Sequence, residues 1–311
     1  MTLVIVGHEK VKESWSWNDK AELRLRNEGL FAVSDSVITS NGSRGQTPLL
    51  SGLRKVHPIT IQLWKPYFVN SCFRDYLEVH QRSECFVAFS GSTLTATHAM
   101  NLISEHLGKL QISYRRASDR GAGTYVVQRH CEYNELRDTK EVIDWDEDMF
   151  SPRDLTGLLT ASYISEVAEH SINVALRSAK QYRLTPEDVE LMRTDFAVGI
   201  ACPTTDAHRL FVYRMKSRLS AEGMLEIYAA PEEITDDKIA VLGMRKQFEA
   251  RAQCAYDRAV KEGYSTGEEM FKFLNLAIDE VAASGSFEID RPSSHKRLTQ
   301  GSLEKVNFSA K

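Results

Sequence analysis

The chain has 311 residues, 42% of them hydrophobic and 26% charged, enough for one large domain or two medium ones with a sizeable core. A formal net charge of −4 leaves no overall basic footprint for nucleic acid. No apolar run approaches the ~20 residues of a membrane helix, and no basic-then-apolar leader pattern opens the chain, so neither a membrane span nor a signal peptide is expected. Thr2 to Val6, "TLVIV", reads as an apolar strand that starts one residue after the initiator methionine. Leu30 to Ser34 reads as a second strand, followed by polar Asp35-Ser36. The stretch between the two is too long for a tight turn and holds Trp15 and Trp17. These two tryptophans are expected to anchor the loop to the body, with a partner-contact patch as the other reading.

A third strand is expected in "LRKVHPITIQLW", with alternation at Ile59, Ile61 and Leu63, and a fourth at Glu84 to Phe89. Ser90-Gly91-Ser92 breaks that run and opens a helix over about 93–110, with Leu102, Ile103, Leu107 and Leu110 as its apolar face. Residues 111–150 lack this regularity. They mix a Gly121-Ala122-Gly123 turn, a short "TYVV" and the acidic run Asp144 to Asp148, and read as an excursion whose charges face solvent. Ser151-Pro152-Arg153-Asp154 has the chemistry of a helix start, with Leu155, Leu159, Tyr163 and Val167 following every four residues. Thr185-Pro186-Glu187-Asp188 repeats that start for a shorter helix. Strands resume at Phe196 to Cys202, Arg209 to Met215, Leu225 to Ala230 and Ile239 to Gly243. Two helices follow, over about 247–262 and 268–283, and the polar tail from Arg291 is expected to fray apart from one edge strand. Strands in runs, covered by runs of helices, favour antiparallel sheets under helix layers over a doubly wound parallel sheet.

Cys72, Cys85, Cys131, Cys202 and Cys254 are odd in number and scattered, with no C-x-x-C, so free thiols in a reducing cytoplasm are expected. The nine histidines form no H-x-x-x-H or H-E-x-x-H pair, and no metal site is expected.

Thr2 is the first candidate for chemistry. A threonine hydroxyl is a weak nucleophile and needs an adjacent base. A residue at the very N-terminus carries its own, an α-amine with a pKa near ~8. Removal of Met1 would expose it, and a small residue after methionine permits that removal. Asp35 ends the second strand, so an antiparallel first pair would place its carboxylate beside the start of the first strand. Lys55 opens the third strand and reaches the same point. Its ammonium would lower the hydroxyl pKa and keep the α-amine neutral by like-charge repulsion. The backbone N–H of Gly91, at a strand-to-helix turn, would serve a developing oxyanion beside the positive end of that helix. Singly, Thr2, Asp35 and Lys55 are ordinary strand, turn and surface residues; the ordered set is what points to catalysis. Ser92 raises a rival, a serine nucleophile elbow. That motif needs glycine two residues before and two after, and Ser90 and Leu94 stand there.

With these residues in order, the chain resembles the proteasome-type N-terminal nucleophile hydrolases: proteasome β subunits, the bacterial two-ring protease and the Anbu group. The resemblance rests on Thr2-Leu3-Val4, Asp35-Ser36-Val37-Ile38-Thr39, Arg54-Lys55-Val56 and Phe89-Ser90-Gly91-Ser92-Thr93. It covers residues 2–110 and, less closely, 196–290. It implies Thr2 as nucleophile and base, Asp35 and Lys55 as its partners, Gly91 as oxyanion donor, and Thr39 as the residue that holds a substrate backbone as an added strand. The chain departs from the pattern in its long first connection and in residues 111–150. It also has Gly243-Met244-Arg245 where the family has a Gly-Ser-Gly-type turn, and Val281 where the family has an aspartate.

The resulting expectation is an α+β fold, a four-layer αββα sandwich with two antiparallel sheets. It is one domain over residues 1–311, with insertions at about 9–29 and 111–150 and a polar tail from about 291. The expected activity is a cytoplasmic threonine peptidase that hydrolyses peptide bonds through an acyl ester on Thr2 and uses no cofactor. By resemblance its partners are a peptide or unfolded-protein substrate, further copies of itself in a ring or helical assembly, and an ATPase as a candidate. The competing readings are a catalytically silent assembly or binding subunit and an amidase for a small molecule.

Overall fold

The first residues form a strand because both of its faces are covered. Leu3 and Ile5 point into one apolar cluster and Val4 and Val6 into another, so the run shows no polar alternation. The structure, a computed structural model, describes residues 2–12, 25–42, 45–116, 123–139, 150–151, 153–178, 184–219, 221 and 223–310. In chain order the described elements are β1 (Leu3–Lys12), β2 (Leu25–Ser34), β3 (Ile38–Gly42), β4 (Gly45–Leu50), β5 (Val56–Val69), β6 (Cys72–Gly91), α1 (Thr93–Gly108), β7 (Leu110–Arg115) and β8 (Thr124–Arg129). They continue with α2 (Glu135–Asp138), α3 (Ala161–Ser178), α4 (Pro186–Met192), β9 (Thr194–Ala201), β10 (His208–Leu219), β11 (Leu225–Ile234) and β12 (Ala240–Gly243). The last are α5 (Arg245–Glu262), α6 (Thr266–Ala283), β13 (Ser293–Thr299) and β14 (Ser302–Ser309).

This is a mixed α+β fold. A five-stranded sheet has the order β12-β1-β2-β13-β14, and a seven-stranded sheet the order β11-β10-β9-β6-β5-β7-β8. Three apolar clusters hold the layers together. Ile5, Val33 and Val241 meet Phe248, Leu274 and Ile278 of α5 and α6. Val4, Ala32 and Leu242 of the five-stranded sheet meet Phe86, Ala88, Ala197 and Val212 of the seven-stranded one. Cys85, Val87, Phe89 and Val198 meet Ala99 and Ile103 of α1 and Ile164 and Ile172 of α3. Burial of this apolar surface, at about 25 cal/mol per Å², drives the stacking.

The sheets are not purely antiparallel. β5 and β7 pair in parallel, at Leu63 with Leu110 and Trp64 with Gln111. α1 runs over β5, and Lys109 leads directly into β7 without a reversal, so β7 keeps the direction of β5. A separate two-stranded sheet, β3 with β4, stands between the end of β2 and the start of β5.

Several boundaries also move. Both early hairpins run longer than expected, because residues outside the apolar runs still complete the ladders, as in Lys10–Asn27 and Trp64–Val79. The irregular stretch from 111 holds β7 and β8, which extend the seven-stranded sheet; Gly121-Ala122 and Asp144 to Asp148 lie outside the described residues, as do Trp15 and Trp17. The helix expected from Ser151 starts only at Ala161. Residues 153–157 form turns, Leu155 and Leu159 are buried ahead of the helix, and Thr160 Oγ1 accepts the Tyr163 N–H as its cap. The capping box at Thr185 and Asp188 forms as the sequence predicts. The tail does not fray: β13 pairs with β2 in the middle of the five-stranded sheet. Its buried side chains include Ser293 and His295 beside Leu298, which is why it reads as polar.

Candidate active site

Four connections converge at one end of the two sheets. Thr2 stands one residue before β1. Asp35 follows β2, and the antiparallel pairing of Val4 with Ser34 brings it beside the chain start. The Asp35 N–H donates to the Leu3 carbonyl at 3.2 Å, and the Leu3 N–H donates to Asp35 Oδ1 at 2.9 Å. Lys55 precedes β5 and is fixed by a hydrogen bond from the Phe89 N–H to its carbonyl, 3.0 Å. Gly91 ends β6.

Lys55 Nζ joins the set. It donates to Thr2 Oγ1 at 2.9 Å and to both oxygens of Asp35, at 2.9 and 2.8 Å. Asp35 Oδ2 also accepts the Val37 N–H at 3.1 Å. Thr2 is 8% exposed, Lys55 2% and Asp35 0%. Burial pushes the Asp35 carboxyl above the ordinary carboxylate range; the Lys55 ammonium and the Leu3 and Val37 N–H groups oppose that shift. Burial likewise holds the Lys55 amine below its ordinary value, and Asp35 opposes it. In both groups burial works against the charged form and the ion pair works for it, and the threonine hydroxyl is the third member of the set.

The turn after β12 clasps the same threonine from the other side. The Met244 N–H donates to the Thr2 carbonyl at 2.9 Å. Gly243 has φ +89°, and a Cβ there would lie 1.8 Å from the Thr2 carbonyl oxygen, so only glycine fits. Gly91 is equally constrained: φ is +119°, and a Cβ would lie 2.1 Å from the Arg193 carbonyl oxygen. The Ser92 N–H donates to that same carbonyl at 3.0 Å, and Ser92 caps α1 through the Thr95 N–H. A cleft of about 500 Å³ opens here, lined by Thr2, Thr39, Lys55, Gly91 and Gly243 among others.

All five residues singled out in the sequence, Thr2, Asp35, Thr39, Lys55 and Gly91, thus fall at or beside one cleft. Thr39 lies on β3, opposite Pro48 of β4. Met244 is buried against the apolar cluster under α5 and α6, and so is Val281, so neither position brings a hydroxyl or a carboxylate. Two contributors escaped sequence reasoning. Ser90 lines the cleft with its hydroxyl beside Gly243, where a Cβ would meet Ser90 Oγ at 2.8 Å; its position before a strand-ending glycine was the one signal. α4 and Arg193 also border the cleft through Glu190 and Leu191, and nothing local in the sequence marks them. Among the described residues, no group of three or more His, Cys, Asp or Glu is placed to hold a metal ion, and no helix is long and apolar enough to cross a membrane.

Fold and site together define an α+β protein with a buried Thr–Lys–Asp chain of hydrogen bonds at one end of two stacked sheets. No protein-family model matches the sequence, and no curated protein matches it. Among solved structures the chain is similar to the Anbu (Gly-1) mutant from Hyphomicrobium sp. strain MC1, at 12% identity and a TM-score of 0.48, over 99% of this chain and 86% of that one. It is similar to Anbu from the same strain at 13% identity and 0.46, over 99% and 86%. Anbu (ancestral beta-subunit) from Yersinia bercovieri follows at 10% identity and 0.44, over 98% and 87%.

Proposed function

We propose that the protein is a proteasome-like threonine hydrolase of amide bonds, most specifically peptide bonds, with Thr2 as its nucleophile once Met1 is removed. The observation that carries this reading is the Lys55 Nζ bridge between Thr2 Oγ1 and both Asp35 oxygens, buried at the floor of a cleft. It sets an ammonium against the threonine hydroxyl beside an opening, where the positive charge would lower the pKa of that hydroxyl.

The Thr2 hydroxyl attacks the amide carbon and passes its proton to the α-amine. The tetrahedral oxyanion is met by the Gly91 N–H at the positive end of α1. Collapse breaks the C–N bond, and the departing amine takes the proton, leaving an acyl ester on Thr2. Water then attacks the ester, gives one proton to the α-amine, and releases the acid as Thr2 regains its hydrogen. Thr39 on β3 aligns the substrate backbone. The reading extends to a four-layer αββα arrangement in a single domain, to a homo-oligomer in the cytoplasm, and to an ATPase partner; these rest on the sequence resemblance.

A second reading keeps the fold without the chemistry. Met244 and Val281 are apolar and buried, so the support the family pattern places there is lacking, and the chain would serve as an assembly or binding subunit. Intact mass of the purified protein with and without a peptide epoxyketone decides between them, since that probe needs the amine and the hydroxyl of one residue. Loss of Met1 with a single adduct, absent in Thr2→Ala, is the expected result. A retained Met1, or a formed terminus that takes no adduct, turns the assignment to the silent subunit.

A further inference from the structure

The end of β6 places a hydroxyl between the two sheets. Along β6 the side chains alternate: Val87 and Phe89 face the helices α1 and α3, while Phe86 and Ala88 face the five-stranded sheet. Ser90 continues the second row, so its side chain points toward β1 and β12. It lines the cleft and is only 7% exposed. The hydroxyls beside it are engaged: Ser92 caps α1 through the Thr95 N–H, and Thr194 donates to the Met192 carbonyl at 2.9 Å. Among the described residues, no group hydrogen-bonds the hydroxyl of Ser90. A buried polar group left unpaired costs stability, which a partner arriving later would recover.

Gly243 marks where that hydroxyl stands. A Cβ there would lie 1.8 Å from the Thr2 carbonyl oxygen and 2.8 Å from Ser90 Oγ. The hydroxyl and the Thr2 main chain therefore face each other across the bare Cα of that turn. The contacts on Thr2 fix its carbonyl, through the Met244 N–H, and its hydroxyl, through Lys55. Its nitrogen is two bonds from the carbonyl carbon, within reach of Ser90 Oγ directly or through one water. Removal of Met1 turns that nitrogen from an amide into an amine, with a lone pair and new N–H groups. Met244 brings no hydroxyl to it, because that side chain is buried in the apolar cluster under α5 and α6. Ser90 brings one from the opposite sheet. A polar row continues behind it: Asp195 of β9 lies opposite Ser90, and Arg214 of β10 lies opposite Asp195 and pairs with it at 3.3 Å.

We propose that Ser90 is a positioning residue for the Thr2 amine. Its hydroxyl accepts an N–H of that amine, directly or through one water, and leaves the lone pair turned toward Thr2 Oγ1. This rests on the Thr2 reading above and adds a residue to it. In this role the hydroxyl acts on the amine alone, so it sets how readily the amine takes the proton and not how tightly a substrate binds.

The test is labelling by a peptide epoxyketone over a range of probe concentrations, followed by intact mass on wild type, Ser90→Ala and Thr2→Ala. The same spectra report the loss of Met1 in each protein. Ser90→Ala is expected to lose about tenfold in the limiting rate at saturating probe, the worth of one hydrogen bond, at an unchanged half-saturating concentration. Its fold is expected to hold, since the hydroxyl has no partner in the chain other than the amine. A limiting rate equal to that of wild type overturns the inference and leaves the nucleophile standing. So does a raised half-saturating concentration at an unchanged limiting rate, which assigns Ser90 to substrate binding. A slower rate with a melting temperature lowered by more than about 5 °C assigns it to the fold and overturns the inference as well. No adduct on wild type overturns the nucleophile reading, and this inference with it.

Discussion

At the scale of single residues, Lys55 is the group on which the site turns. It holds Asp35 in charge balance and Thr2 in orientation, and removing it strands a buried carboxylate. The Leu3 and Val37 N–H groups would remain on Asp35, but no cation would. Breaking one half of such a pair is destabilising by about 3–5 kcal/mol, whereas neutralising both halves with similar shapes is far milder. Lys55→Met alone is therefore expected to lower unfolding stability by about that amount. Asp35→Asn combined with Lys55→Met should recover a large part of the loss, since asparagine can still accept the Leu3 N–H. Urea unfolding of the two single variants and the double variant at pH 7 checks this, and additive losses would mean the pair is not coupled. Thr2, Asp35, Lys55 and Gly91 were legible in the sequence because each sits where a strand ends or begins, and strand ends can be read from apolar runs. Leu191 was not legible: its place depends on the three-dimensional tie between α4 and the turn after β6, which no local pattern encodes.

Between residues and whole molecule stand the elements, and here the polar tail is the instructive case. The tail from Arg291 reads as frayed apart from one edge strand, because sequence such as "SSHKRLT" is polar; β14 does lie at the edge of the five-stranded sheet, but β13 lies inside it. It pairs with β2 on one side and β14 on the other, with Ser293 bonded to Asn275 at 2.9 Å and His295 buried within 3.9 Å of Glu9. Glu9 is itself buried and accepts the Ser265 hydroxyl at 2.7 Å and the Gly267 N–H at the start of α6. Side-chain partners stand in for apolar burial, and single-sequence patterning sees only polarity. The same contacts predict acid sensitivity. Burial, with the Arg297 charge, holds the His295 imidazole down at about 4, against an ordinary value of 6.5. A folded pKa below the unfolded one means that the unfolded chain binds the proton first. Stability from this group is complete above 6.5 and falls away as pH drops toward 4, by about 3 kcal/mol at the limit. Glu9, whose carboxyl burial pushes up, works the other way and offsets part of that loss. The net expectation is a melting temperature that falls between pH 7 and pH 4.5, and falls less steeply in His295→Gln. Parallel curves for the two proteins would remove His295 as the cause.

For the whole molecule, the sequence conveyed that strands come in runs under helices, and therefore the class of fold. It did not convey the order of strands within the sheets. β7 reaches β5 in parallel, and β13 returns from the far end of the chain to β2; both pairings are set by packing between distant segments. That long-range order bears on function, because the site is assembled from β1, β2, β5, β6 and β12 and so draws on both sheets at once. Thr2, Asp35 and Lys55 are buried, and the strands behind them fill the cluster between the sheets with Val4, Ala32, Val56 and Ala88. Such a site has no independent way to open. The amides of Leu3 to Val6 should exchange hydrogen only through global unfolding, and their opening free energy should equal that from urea denaturation. The tip of the β5–β6 hairpin, where Asn70 and Ser71 turn with positive φ, is solvent-facing and should exchange by local opening several orders of magnitude faster. Native-state hydrogen exchange read by mass spectrometry on peptides covering 3–6 and 69–72 makes the comparison. Fast exchange at 3–6 under native conditions would mean that the strand start opens by itself, so that Thr2 is held by local contacts and not by the stacked sheets.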